Sequence, residues 1–347
     1  MALLEQVFEW YQSERPFVVY RKPSEHTLRA MLVVDDNLFQ SDAYAESGFV
    51  LAPFDPKQAA VIFRESDCHF LEEVYIPNPS CSTSVEVEIL EDTAAKHQHL
   101  HAVNQAINAI KSGKYQKLVI SRSEQIPLKN NFVAIYKRLL SRYPTAMVYC
   151  WYHPRVGMWT GATPEKLFQT QGRQLVTMAL AGTQAYQEGV EVVWGSKEKE
   201  EQQFVTDYIL YQLRDLLESH DFEGPHTVRA GNLIHLKTDI RGRLTPDTGM
   251  QTIIQALHPT PAVAGVPKES SVNYILQNHP DRKFYTGFLG ELNLQGATDL
   301  YVNLRCMELT WNQATLYIGG GITADSVAEL EWHETVMKSM VMKKVLF

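Results

Sequence analysis

Cysteine is scarce in these 347 residues: Cys68, Cys81, Cys150 and Cys306 are the whole complement, and no two form a C-x-x-C pair. Zinc and dithiol redox chemistry therefore have no framework, and buried free thiols in a reducing cytosol are the expected account. Long apolar runs are missing as well. None approaches the roughly 20 residues needed to span a bilayer. Met1 to Glu14 lacks the basic start and apolar core of a secretory signal and reads as a short amphipathic helix. Positive charge is in deficit, with a formal net charge of −8, so nothing marks the chain for nucleic acid or an anionic membrane. No low-complexity tract or internal repeat appears. What remains is a chain that is 45% apolar and 21% charged, ordinary for a cytoplasmic protein with a sizeable core. An acidic chain can still hold an anionic substrate, given a metal, an arginine or free backbone amides at the site.

The first hundred residues mix short strand candidates (Phe17–Tyr20, Met31–Val34, Ala59–Phe63) with Pro- and Ser-rich turns. Ile76 to Ser84, with Pro77 and Pro79, is the best candidate boundary, and no chemistry is visible before it. Residues 1–95 are taken as a loosely defined N-terminal part of the same domain, and 96–347 as the catalytic region. Helical spacing runs from Lys96 to Ile110, with Gly113 as a stop. Lys117 to Arg122 is extended and β-branched, and Asn131 to Tyr143 is helical. Strands are expected at Met147–Tyr152, Leu175–Ala179, Thr227–Ile240, Phe284–Leu294, Asp299–Leu309 and Ala314–Ile318. A long helix is expected from Lys197 to Ser219 and another from Ser326 to Val345. Strands come in runs rather than alternating with helices, which favours an α+β fold with large antiparallel sheets.

Two Glu-x-x-Glu steps stand far apart: Glu198 with Glu201, and Glu331 with Glu334. A three-residue step puts both carboxylates of each pair on one helical face. Should the two helices face each other, four acidic groups converge, and an all-oxygen site of that kind suits Mg²⁺. Each pair alone also fits a solvated acidic face. Lys117 opens an apolar strand, either as a strand-end charge reaching water or as a desolvated amine able to act as a base. Glu165, in GATPEKL (residues 161–167), is placed at the first turn of a following helix, either stabilised by the helix dipole or acting as a proton donor. Gly182 and Thr183 are read as the turn ending a strand, and Gly319 to Gly321 as a run following one. Both offer backbone amides to a carboxylate, or simply turns. Arg305 is placed mid-strand, where it needs a carboxylate partner or a wet face.

Nine segments carry a resemblance when taken in order: KLVISR, GATPEKLF, ALAGT, KEKEEQ, LHPTPAVAGVP, FYTGFLGEL, LYVNLRCMEL, GGGI and ELEWHET. Together they resemble the chorismate-utilising enzymes, which include isochorismate synthases, salicylate synthases and the large subunits of anthranilate and aminodeoxychorismate synthases. The match covers roughly residues 98 to 347. The resemblance implies that Lys117 activates the water attacking C2 of chorismate and that Glu165 protonates the departing C4 hydroxyl. It assigns Mg²⁺ to Glu201 and Glu334, with Glu198 and Glu331 in support. The metal and the amides near Gly182 and Thr183 would hold the ring carboxylate. Tyr285, Arg305 and Gly321 would clamp the pyruvyl carboxylate, and His235 would lie near C4.

Within the family, Ala181 stands where the aminodeoxychorismate branch has an attacking lysine. Ala179-Leu180 stands where the anthranilate branch has a Pro-Ile pair, and no extension long enough for that branch's feedback site is apparent. Isochorismate synthase is the resulting expectation, with no obligatory glutaminase subunit. Salicylate synthase, an amidotransferase subunit and a catalytically silent binding protein of the same fold are the alternatives. Two positions depart from the family pattern: Gln202 replaces a histidine after the metal glutamate, and Lys166 follows the acid.

Overall fold

The computed structural model describes residues 2–76, 92–230 and 233–347. The expected boundary after Ile76 and the residue Cys81 fall outside them. Strands and helices are numbered in chain order. One sheet holds β1 (Phe17–Arg21), β2 (Thr27–Val33), β6 (Cys68–Val74), β7 (Lys117–Pro127), β8 (Met147–His153), β9 (Gly157–Thr163), β14 (Gly265–Val266), β17 (Cys306–Leu309) and β18 (Gln313–Ile322). Their spatial order is β14-β7-β18-β17-β9-β8-β1-β2-β6.

The second sheet holds β3 (Gln40–Ser41), β4 (Gly48–Ala52), β5 (Ala60–Arg64), β10 (Lys166–Gln171), β11 (Gln174–Ala185), β12 (Leu217–Ala230), β13 (Leu233–Leu244), β15 (Phe288–Leu294) and β16 (Ala297–Val302). Here the order is β12-β13-β11-β10-β16-β15-β4-β5-β3. The N-terminal strands belong to both sheets, since β1 pairs with β8 and β4 with β15.

The sheets pack face to face, and helices cover their outer faces. Period-two alternation makes this layering possible. Along β1, Phe17 and Val19 point to the helix side while Val18 and Tyr20 enter the inter-sheet core. Along β4, Val50 and Ala52 face helices while Phe49 and Leu51 enter the same core. With both faces buried, these strands are continuously apolar; β1 was expected from the sequence, whereas β4 was not singled out.

Helices α1 (Leu3–Gln12), α3 (Phe132–Arg142) and α7 (Ala328–Leu346) cover the first sheet. Helices α4 (Ser196–Leu213) and α5 (Met250–Leu257) cover the second. Helix α2 (Thr93–Lys111) lies on β7 and α7. Side-chain oxygens start two of these helices: Asp92 accepts from the Ala95 amide and Asn131 from the Ala134 amide.

Six local expectations differ from the structure. The predicted Thr227–Ile240 strand is two antiparallel strands, β12 and β13, and α4 ends at Leu213, so Leu217 to Ser219 is strand. No helix follows Glu165; it sits between β9 and β10, because residues 166–171 pair with β16 and β11. Asp299–Leu309 is broken at residues 303–305, which carry the chain from β16 in one sheet to β17 in the other. Gly319 to Gly321 lie inside β18, paired with Ser121, Ile120 and Val119 of β7. Gly182 and Thr183 likewise lie within β11, at a register shift where Gly182 has φ of 70°.

Candidate active site

One cleft opens where β7 and β18 of the first sheet approach β11 and β13 of the second, between α4 and α7. It encloses about 870 Å³ of empty space, part of it open to solvent. Ten residues singled out from the sequence line it: Lys117, Glu165, Gly182, Thr183, Glu201, His235, Tyr285, Arg305, Gly321 and Glu334. Glu198 and Glu331 complete the acidic pairs just behind the wall. A Cβ on Gly182 would lie 3.0 Å from Cβ of Glu198, and Glu331 is buried beside Gly320.

Glycine is required at position 321, under this cluster. A Cβ at position 321 would stand 2.1 Å from Glu201 Oε1 and 2.8 Å from Lys117 Cε. At position 320 it would lie 3.5 Å from Glu331 Oε2 and 3.6 Å from Glu334 Oε1. Strand β18 thus lets three carboxylates and an amine settle onto bare backbone.

Three lysines neutralise these carboxylates. Lys117 Nζ lies 2.8 Å from Glu201 Oε1, Lys197 Nζ 2.6 Å from Glu331 Oε1, and Lys338 Nζ 2.6 Å from Glu334 Oε1. Lys117 is fully buried, and its contact with Glu201 is an ion pair without hydrogen-bond alignment. Lys338 also donates to the Gly319 carbonyl at 3.0 Å. Burial acts against the charge on Lys197, but Glu331, Glu201 and Glu334 hold its ammonium above the usual range. Lys197 and Lys338 were not singled out from the sequence. The signals were present: Lys338 follows Glu334 by four residues, and Lys197 directly precedes Glu198.

Burial pushes the Glu165 carboxyl up to about 7, against the opposing pull of Lys117, Arg305 and Lys338. Its backbone is fixed on both sides. The amide meets Thr163 Oγ1 at 3.3 Å, and the carbonyl accepts from the Val302 amide at 3.0 Å. Burial also raises Glu331, whereas for Glu334 the pull of Lys338, Lys197 and Arg305 outweighs burial and leaves it below the usual range.

Burial, aided by Arg305 and Lys338, lowers His235 to about 3, so its imidazole is neutral. Its Nδ1 lies 3.1 Å from the Gly182 carbonyl. Donating there leaves Nε2, buried and without a hydrogen-bond partner among the described residues, as an acceptor at the cleft. Arg305 lies in the inter-sheet crossover rather than mid-strand, with φ of 48°, and its positive charge faces Tyr285, Glu165 and Glu334. A non-glycine residue in that left-handed region is strained, and here the strain sits in the wall of the cleft.

Behind the cleft, buried Arg282 donates to the carbonyls of Val119 and Val263 and to Ser121, holding two lining segments in register. The two departures from the family pattern point away from the cleft. Gln202 donates to the Ala179 carbonyl and to Thr238, tying α4 to β11 and β13. Lys166 pairs with Asp299 at 2.7 Å.

The donor set fits a hard divalent cation. Glu331 Oε2 is buried with no hydrogen-bond partner among the described residues, an expensive state for a carboxylate oxygen unless something is to be bound there. Glu201 lies against Gly321, and Glu331 and Glu334 lie along Gly320. As arranged with their lysines, the described residues do not gather three such groups into a ready cluster.

Comparison with known proteins matches residues 58–347 to the family model described as chorismate binding enzyme. The salicylate biosynthesis isochorismate synthase of Pseudomonas aeruginosa is 31% identical over 255 residues, which cover 70% of this chain and 53% of that protein. The chain thus spans about half the length of that relative. Isochorismate synthase EntC of Escherichia coli (strain K12) is 27% identical over 311 residues, 84% of this chain and 79% of the relative. Among solved structures, DhbC from Bacillus anthracis superposes with a TM-score of 0.81 at 24% identity, covering 99% of both chains. The menaquinone-specific isochorismate synthase MenF from Escherichia coli gives 0.78 at 21% identity, over 96% of this chain and 89% of the other.

Proposed function

The chain belongs to the chorismate-binding enzyme family, and from that premise we propose that it is an isochorismate synthase. The reading rests above all on one observation: a buried amine, Lys117, and a buried carboxyl held near 7, Glu165, line the same cleft.

The chemistry balances as follows. Lys117 takes a proton from water while the water oxygen bonds to C2 of chorismate. The ring double bond shifts, the C4–oxygen bond breaks, and Glu165 gives its proton to the departing oxygen. Substrate and product are isomers, so no other reactant is consumed. General base and general acid each contribute about 10²–10⁴ in rate. A carboxyl poised near neutrality is suited to proton donation, because it can hold a proton at neutral pH and its conjugate base is not too weak to reprotonate.

Chorismate is a dianion, and the remaining residues answer that charge. Arg305 offers a planar fork to one carboxylate, with Tyr285 and the Gly321 backbone beside it. Gly182 and Thr183 line the same cleft and would offer backbone amides to the other carboxylate. Glu201 and Glu334 would hold Mg²⁺, with Glu198 and Glu331 supporting it. The ion when bound supplies positive charge for the ring carboxylate. Fixing both carboxylates sets the ring between base and acid, on which the geometry of the reaction depends.

Incubating purified protein with chorismate and Mg²⁺, then resolving products by mass and NMR, tests the reading. Isochorismate is expected, unchanged in amount by added glutamine or ammonia. Salicylate with pyruvate, anthranilate, or no turnover would each overturn it.

A further inference from the structure

Tyr285 and Arg305, which line the cleft together, stand on separate segments of the chain. Tyr285 lies in the turn of residues 284–287 that leads into β15, and Arg305 ends the crossover of residues 303–305. Each segment holds a non-glycine residue in the left-handed region, Thr286 with φ of 63° and Arg305 with φ of 48°. Such backbone persists only where its surroundings over-determine it.

Asn303 joins the two segments. It is fully buried and is not among the residues lining the cleft. Its backbone amide donates to the Gly287 carbonyl at 2.8 Å, and its carbonyl accepts from the Thr286 amide at 2.9 Å. Its Nδ2 donates to the Phe284 carbonyl at 2.9 Å, and its Oδ1 accepts from the Tyr149 hydroxyl at 2.7 Å. A carbonyl can only accept, so the Phe284 contact fixes which end of the amide is which. Tyr149 is itself buried within β8, and burial keeps its hydroxyl protonated as the donor. The far end of the crossover is tied to β9, where the Ala162 amide donates to the Arg305 carbonyl at 3.0 Å. Aspartate at position 303 would lack the donor, and leucine would lack both ends.

We propose that Asn303, held by Tyr149, is a positioning residue that sets Tyr285 and Arg305 as a clamp for the substrate's side-chain carboxylate. The proposal rests on the isochorismate synthase reading for the identity of that substrate. Asn303 acts through the two clamp residues and leaves proton transfer to Lys117 and Glu165.

Two ring acids serve as probes, with affinities measured by calorimetry in the presence of Mg²⁺. One is meta-hydroxybenzoate, with a ring carboxylate alone; the other is meta-(carboxymethoxy)benzoate, which adds a side-chain carboxylate. Wild type should prefer the second by about ten-fold or more. Asn303→Leu, of similar branched shape without polar ends, should lose most of that preference. Its affinity for the first probe should change by less than about two-fold. Tyr149→Phe removes one hydroxyl and should lose about three-fold of the preference. In the Asn303→Leu background it should cost nothing further, because the link it serves is already gone. Should Asn303→Leu fail to fold, Tyr149→Phe alone decides. Variants that keep the wild-type preference, or that weaken both probes alike, would overturn the proposal. So would wild type binding the two probes equally. Wild type that prefers the dicarboxylate yet leaves chorismate unconverted would instead defeat the isochorismate synthase reading.

Discussion

Lys117 Nζ stands 2.8 Å from Glu201 Oε1, and both groups rest on the bare backbone of Gly321. Amine, metal-ligand candidate and glycine come from β7, α4 and β18, far apart in the chain, so their meeting is a product of the fold. A single added methyl group tests that meeting. Gly321→Ala would push its Cβ into both side chains, and turnover should fall by about 10² or more. Gly249→Ala is the control: among the described residues nothing lies within 4 Å of a Cβ there, and activity should not change.

The acid assignment makes a pH prediction. Glu165 must be protonated to donate, so kcat/KM should fall as pH rises through about 7. Glu165→Gln should lower turnover by about 10²–10⁴ and remove that limb of the profile.

Stability should move with the same group. The folded pKa of about 7 lies above the ordinary 4.5, so the folded state binds the proton more tightly than the unfolded chain. Its contribution is complete below the unfolded pKa and is lost as pH rises through about 7. Thermal unfolding at pH 8 should therefore find Glu165→Gln more stable than wild type, by up to about 3 kcal/mol. At pH 4 the difference should vanish.

The base can be separated from the metal. Lys117→Ala should abolish product formation, yet leave Mn²⁺ binding, followed by electron paramagnetic resonance, intact or tighter, because Glu201 loses the Nζ that competes for its Oε1. Glu334→Gln should weaken Mn²⁺ binding by about ten-fold or more. Equal Mn²⁺ affinity in Glu334→Gln and wild type would remove Glu334 from the metal site.

Much of this site was legible in the sequence because it lies on regular elements. Lys117 opens an apolar strand buried on both faces, and each Glu-x-x-Glu step keeps its meaning on any helix. Glu165 misled at the local level. Its Thr-Pro-Glu context reads as a helix start, but pairing of residues 166–171 with β16 and β11 overrides that propensity. Arg305 offered no local cue either: its left-handed backbone is imposed by the crossing between sheets, with no glycine or asparagine at that residue to announce it. Lys338 reaches Glu334 within α7, but the pairing of Lys197 with Glu331 depends on the start of α4 approaching α7. Only tertiary structure supplies that.

One assay bears most directly on the whole account: purified protein, chorismate and Mg²⁺, with products resolved by mass and NMR, run beside Lys117→Ala and Glu165→Gln. The account predicts a product of unchanged mass, isochorismate, from wild type and almost none from either variant. Equal product from wild type and the two variants would contradict it.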